Sequence, residues 1–205
     1  MSAAPRPLLV FLHGVGSSGA DLAPLAESWR SALPTAAFAT PDAPTPFDRG
    51  GAGRQWFSIA GVTEADRAER IAAARAGFDR TVAAAVAAQG LEGRLDRVAL
   101  IGFSQGAIMA LDALAGGRWP VGAIVAFAGR LAAAPAGAAT ATPALLVHGA
   151  ADPVIPAAET LLAAQALRAA GVAAQSLVLP GVGHMIAPAG AAAALRFLEA
   201  QGFGG

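Results

Sequence analysis

Three residues in this chain have the types and the spacing for nucleophilic chemistry. Ser104 stands in Gly102-Phe103-Ser104-Gln105-Gly106, after the apolar run RVALI and before the helical run AIMALDALAG. A serine at such a strand-to-helix turn is lifted above the sheet on a strained backbone. The flanking Gly102 and Gly106 permit the tight turn and a close helix approach. The hydroxyl then needs a base, and the base needs an acid to orient it. Asp152 follows ALLVH at 144–148, and His184 follows QSLVL at 175–179 in Gly181-Val182-Gly183-His184. The expected division of labour is attack by Ser104, proton transfer by His184 and orientation of the imidazole by Asp152.

The negative charge formed by such an attack needs donors. Gln105 begins the helix after the nucleophile, where its N–H is free and the helix end is positive. The second donor belongs to the loop after the first apolar run, His13-Gly14-Val15-Gly16, and the Val15 amide is the choice. Gly14 and Gly16 let that loop approach an acyl carbonyl. His13 and His148, each ending an apolar run, are expected to fix their loops by hydrogen bonding. A metal held by His13, His148, Asp152 and His184 is the competing account, with ligands suited to zinc. It leaves the Ser104 turn unexplained and lacks a closely spaced ligand pair. Asp112 and Glu159 fall in helical runs, where a solvated face is expected for both.

Composition narrows the chemistry further. All 14 basic residues are arginine, which removes a Walker lysine, a Schiff base and a Ser-Lys dyad. Without cysteine there is no thiol catalysis, disulfide or thiolate metal site. The formal net charge of +0 argues against a nucleic-acid partner and gives no electrostatic attraction to an anionic membrane. The first apolar run, LLVFL at 8–12, is too short to span a bilayer and follows a weak leader, MSAAPRP. A cytoplasmic protein is the default expectation, with no stable membrane insertion.

Short apolar runs alternate with longer alanine-rich stretches, the pattern of an α/β protein with a mostly parallel central sheet and helices on both faces. Strands are expected at 8–12, 36–39, 97–101, 121–127, 144–148 and 175–179. Helices are expected at 21–33, 63–88, 105–116, 157–170 and 189–200. Thr63 ahead of Glu64 and Asp66 makes a favourable helix start, and Gly90 and Gly171 sit where helices should end. Ile71, Phe78 and Val82 mark the sheet-facing stripe of the longest helix. Residues 40–57 have no period and read as a surface excursion that could wall a site. Residues 131–143 read as a structural link, and 1–205 as a single domain. The order Ser104, Asp152, His184, each in a loop at one edge of a parallel sheet, is that of an α/β-hydrolase.

The blocks LHGVGSSGADL, GGAGRQWFSI, GFSQGA, HGAADPVIP and GVGHMI occur in order over nearly the whole chain. In them the sequence resembles the phospholipase/carboxylesterase family of α/β-hydrolases, the group that includes acyl-protein thioesterases. The resemblance implies Ser104, Asp152 and His184 as nucleophile, acid and base, and the amides of Val15 and Gln105 as oxyanion donors. It also puts Trp56 and Phe57 in the loop beside the acyl site. Family members generally act on carboxylic esters or thioesters without metal or organic cofactor, commonly as soluble monomers or dimers, so a homodimer is among the expected states. There are departures. Phe57 and Ser58 stand where many relatives have tyrosine and aspartate, Ala107 replaces a common glycine, and only seven residues precede LLVFL, which implies a shortened N-terminal edge.

The activity expected is that of a serine carboxylesterase for small to medium acyl esters. An acyl-protein thioesterase or lysophospholipase is the nearest alternative, and would need a longer channel bounded by Trp56, Phe57, Ile59 and Met185. A binding protein on the same scaffold is the alternative from another class; the complete set of reactive groups argues against it.

Overall fold

The computed structural model describes residues 6–204, so the start of the leader, residues 1–5, lies outside the described residues. Its strands are β1 (Leu8–Leu12), β2 (Ala37–Ala39), β3 (Thr45–Pro46), β4 (Arg54–Gln55), β5 (Val98–Phe103), β6 (Ala123–Phe127), β7 (Ala144–Gly149) and β8 (Ala174–Leu179). Six of them form one parallel sheet in the order β2-β1-β5-β6-β7-β8. Its helices are α1 (Ala23–Ser28), α2 (Glu64–Ala87), α3 (Gln105–Ala115), α4 (Ala157–Ala169) and α5 (Pro188–Ala200). This is an α/β-hydrolase fold with helices on both faces of the sheet.

The two faces sort by the alternation of side chains along a strand. Leu8, Val10 and Leu12 pack with α2 and α3, whereas Leu9 and Phe11 pack with α1 and α5. Every residue of β1, β6 and β7 is buried, which is why these strands read as unbroken apolar runs. Strand order reverses direction at β1, flanked by β2 on one side and β5 on the other. Leu12 pairs with Gly102, so the loops after β1 and β5 leave the sheet side by side. This switch point is where an open parallel sheet forms a ligand crevice.

Local chemistry accounts for the helix ends. The Thr63 hydroxyl accepts from the Asp66 N–H, and the Asp66 carboxylate accepts from the Thr63 N–H at 2.7 Å, capping α2 reciprocally. Its stripe of Ile71, Phe78 and Val82 extends to Val86. Gly171, at φ 87°, follows α4 in the left-handed conformation that glycine adopts readily. Among the described residues, no helix is long and apolar enough to cross a membrane.

Three segments differ from expectation. The helix expected over 21–33 is a 3₁₀ turn at Gly19–Leu22 followed by the six residues of α1. Past Ser28 the backbone tightens into bonds from Trp29 to Ala26 and from Ala32 to Trp29, and Trp29 and Leu33 are buried from a turn instead of a helix. The excursion at 40–57 contains the antiparallel ribbon β3–β4, with Thr45 opposite Gln55. Asp112, expected on a solvated face, is buried in a helix whose every residue is buried. Its carboxylate accepts two bonds from Arg75, at 2.9 and 3.0 Å, and one from Arg118 at 2.8 Å. α3 lies between the sheet and α2, so a carboxylate there needs partners to offset its desolvation.

Candidate active site

Ser104 occupies the turn between β5 and α3 with φ 51° and ψ −113°, a backbone state that costs a residue with a Cβ. The surroundings hold it there. The Ser104 N–H donates to the Phe127 carbonyl at 2.9 Å, and α3 packs on β5 and β6 with its first turn close to the end of β1. A Cβ on Gly102 would lie 2.5 Å from the Ala107 backbone, and one on Gly106 would lie 2.1 Å from the Leu12 carbonyl oxygen. Glycine is therefore required at both positions by close approach.

The sheet brings the three distant residues together. His184 Nε2 lies 2.9 Å from Ser104 Oγ, and its Nδ1 lies 2.7 Å from Asp152 Oδ2. With Nδ1–H donating to the carboxylate, Nε2 is left to accept the serine proton. Asp152 is held by three donors. Its Oδ1 accepts the Val154 and Ile155 N–H groups at 2.8 and 2.9 Å, its Oδ2 accepts from His184, and His148 Nε2 lies 3.0 Å from Oδ2 without donating to it. Burial pushes the Asp152 carboxyl up, but the bond from His184 and the Ile155 and Val154 amides outweigh it and hold the group below the ordinary carboxylate range.

His148 is bonded at both ring nitrogens, to partners that the sequence did not specify. The Ile155 carbonyl, 2.8 Å from His148 Nε2, can only accept, so Nε2 carries a proton. Nδ1 then accepts the Thr160 hydroxyl at 2.7 Å. His13 is fixed by the same logic. Its Nδ1–H donates to the Gly14 carbonyl at 2.7 Å and its Nε2 accepts the Ala43 N–H at 2.9 Å. Burial pushes the His13 imidazole below its ordinary pKa. Both nitrogens of His13 are thus engaged away from Asp152, and no three His, Asp or Glu side chains among the described residues are arranged to hold a metal.

The loop after β1 faces the elbow. The amides of Val15 and Gln105 make no hydrogen bond among the described residues, and both residues line a cleft that contains Ser104. Gly16 N–H donates to the Arg54 carbonyl at 2.8 Å, tying this loop to β4. The cleft holds about 330 Å³ and is lined on its apolar side by Phe57, Ile59, Val62, Ile108, Val154 and Ile155. A larger hollow of about 430 Å³ lies against β8 and α5 and is lined by none of Ser104, Asp152 and His184.

Two expected cleft residues are placed elsewhere. Trp56 is only 2% exposed and belongs to the core, edge-on to Phe78, with Nε1–H donating to the His13 carbonyl at 2.9 Å. Met185 is exposed and lines a separate hollow with Phe103, His184 and Ile186. The sequence also gave no sign of the Gln105 side chain's work. Its carboxamide accepts the Trp56 N–H at 2.7 Å and donates to the Phe57 carbonyl at 2.6 Å. Arg49, Arg67 and Arg130 join the cleft lining. Arg130 follows β6 at the same sheet edge as Ser104, the positional signal that could have singled it out.

A serine elbow on a parallel sheet, with a histidine and an aspartate on later loops of the same edge, defines a serine hydrolase of the α/β class. The model of the phospholipase/carboxylesterase family matches residues 2–201. Esterase YpfH of Escherichia coli is 36% identical over 181 residues, which are 88% of this chain and 77% of that protein. The crystal structure of esterase PE8 superposes with a TM-score of 0.88 at 34% identity, covering 97% of this chain and 94% of that one. A carboxylesterase from Mesorhizobium loti gives a TM-score of 0.78 at 25% identity, over 96% and 90% of the two chains. The chain belongs to the phospholipase/carboxylesterase family and is a carboxylic ester hydrolase.

Proposed function

We propose that the protein is a serine carboxylesterase for small to medium acyl esters, with Ser104, His184 and Asp152 as its catalytic residues. The observation that carries this reading is the hydrogen-bonded series from Ser104 through His184 to Asp152 at a cleft with two unpaired amides. The Ser104 oxygen attacks the ester carbonyl as its proton passes to His184 Nε2, giving a tetrahedral oxyanion that the Val15 and Gln105 amides receive. The carbon–oxygen bond to the alcohol breaks as His184 returns that proton to the leaving oxygen. Water then attacks the acyl-serine, its proton again passing to His184, and the acid leaves as Ser104 regains its proton. Asp152 keeps the imidazole in the required tautomer and stabilises its cation.

The cleft volume of about 330 Å³ lies at the small end of ligand pockets, which favours short and medium acyl groups. Phe57 and Ile59 take the acyl chain, and the hollow beside His184 and Met185 receives the alcohol that His184 protonates. Kinetics over acetyl, butyryl, hexanoyl and octanoyl esters, with a matched thioester, test the reading. A fluorophosphonate should label Ser104 once and stop turnover, and Ser104→Ala should lose the label while remaining folded. A label on another serine, or wild-type turnover in Ser104→Ala, would defeat it.

A further inference from the structure

The cleft that contains Ser104 holds three arginines and no acidic residue in its lining. Arg49 comes from the turn joining β3 to β4, Arg67 from the start of α2 and Arg130 from the segment after β6. Most ion pairs elsewhere in the molecule match an arginine closely with a carboxylate. Arg70 sits on Asp66, Arg75 and Arg118 on Asp112, and Arg94 on Asp96, all within 2.9 Å. The three cleft arginines make no side-chain hydrogen bond among the described residues. Their one ion pair, Arg130 Nη1 to Glu159 Oε1, is 3.8 Å long, beyond hydrogen-bond reach.

Arg130 is the most constrained of the three. Its side chain is 15% exposed, and burial, with the nearby charge of Arg67, pushes its pKa down against the opposing pull of Glu159 and the weaker ones of Glu64 and Asp152. An arginine keeps its charge under such pressure, so it remains a cation with most of its donors free. In a chain of formal net charge +0, three cations around one apolar cleft are a local concentration of positive potential. An aliphatic acyl group alone would leave them unmatched and desolvate them further.

We infer that this cleft takes acyl groups that end in a carboxylate, so that the preferred substrates are half-esters of short dicarboxylic acids. The inference rests on the ester-hydrolase reading above and specifies its acyl half. Phe57, Ile59 and Ile108 enclose the methylenes, and the distal carboxylate meets the guanidinium of Arg130 with Arg67 and Arg49 beside it. Guanidinium and carboxylate match in a planar, two-bond geometry. The reacting bond and the proton path are unchanged, because the anionic end stays remote from the scissile carbonyl.

The test compares p-nitrophenyl hemiglutarate with its methyl-capped neutral diester, each rate divided by its hydroxide-catalysed rate. In the wild type the corrected ratio of kcat/KM should favour the half-ester by about 10-fold to 100-fold, the worth of a charged hydrogen bond. It should fall as the Debye length shrinks from about 30 Å at 0.01 M salt to about 3 Å at 1 M. Arg130→Gln should remove most of the preference, Arg130→Lys should keep part of it, and Arg130→Glu should reverse it. A second pair, 4-acetoxyphenyl phosphate and phenyl acetate, puts the anion on the alcohol, where little preference is expected. Turnover of neutral esters with no preference for the half-ester would overturn the inference and leave the ester reading standing. So would a preference that survives Arg130→Gln, Arg67→Gln and Arg49→Gln, or one confined to the alcohol pair. A folded protein that hydrolyses none of the four and takes no fluorophosphonate label on Ser104 would remove both.

Discussion

On one side of Ser104 the segment 54–59 is fixed by its backbone. Trp56 is buried against His13 and Phe78, its N–H and the Phe57 carbonyl are both taken by the Gln105 carboxamide, and β4 is bonded to Gly16. On the other side, the loops bearing Asp152 and His184 are organised around one side chain. A single carboxylate accepts from two amides and the His184 imidazole, with His148 close beside it, while the neighbouring Met185 and Val154 are exposed. The first arrangement resists change in shape. The second depends on charge and can be dismantled one donor at a time. In the proposed reaction the rigid wall meets the acyl group and the electrostatically assembled wall moves the protons.

The largest break in that comparison is His184→Ala. It should lower kcat by about 10⁴-fold to 10⁶-fold with the fold retained, as measured by turnover per folded molecule. Near-wild-type turnover would reject the proposed base. Next, His148→Ala removes the imidazole that bonds the Ile155 carbonyl beside Asp152, without touching Ser104. Turnover per folded molecule should fall about 5-fold, the value of one neutral hydrogen bond that positions the Asp152 loop, and His148→Gln should recover part of it. A change in stability alone, with kcat intact, would make His148 purely structural.

Substitutions in the rigid wall should behave differently. Trp56→Phe leaves the His13 carbonyl without its buried donor and should cost about 1–3 kcal/mol in denaturant unfolding. Losses of activity should run in parallel across acyl lengths. Phe57→Ala, one residue on, should instead change the slope of kcat/KM with chain length by up to about fourfold per methylene. Parallel losses in both variants would remove Phe57 from the acyl wall.

These two adjacent aromatics also mark the limit of what the sequence disclosed. Ser104, Asp152 and His184 each lie in the loop after a parallel strand, β5, β7 and β8, so strand order and parallel direction carry them to one edge. Trp56 and Phe57 lie in a segment without a period, where nothing local distinguishes a side chain turned into the core from one turned toward a cleft. Asp112 was obscured for a related reason. An acid on an alanine-rich helix looks solvated until the arginines that surround it arrive from α2 and from beyond α3. The Gln105 carboxamide was invisible because its partners are main-chain groups about fifty residues away, which no side-chain pattern encodes.

The smallest effect concerns pH and the rigid wall. His13 has a folded pKa below its ordinary 6.5, because burial penalises its cation and Nε2 already accepts the Ala43 N–H. The unfolded chain therefore takes up this proton first. The stability His13 contributes is full above the ordinary value and is lost as pH falls from there toward the folded one. Tm should decline with acidification below about pH 6.5, and His13→Gln should flatten that decline. An unchanged slope in the variant would assign the decline to other groups.

Gln105 joins two duties that many binding sites keep apart. Its main-chain amide faces the place where the oxyanion forms in the proposed reaction, and its side chain grips the backbone of the acyl wall. A shift of that wall would drag on the first residue of α3, so a lineage cannot retune its substrate range cheaply by lengthening or tilting the 54–59 loop. On the proposed reading, diversification proceeds by exchanging the side chains that the fixed backbone presents to the cleft, at Phe57, Ile59, Ile108 and the three arginines. The cleft is in this sense a socket with replaceable lining, and its evolutionary record should be written in substitutions more than in insertions.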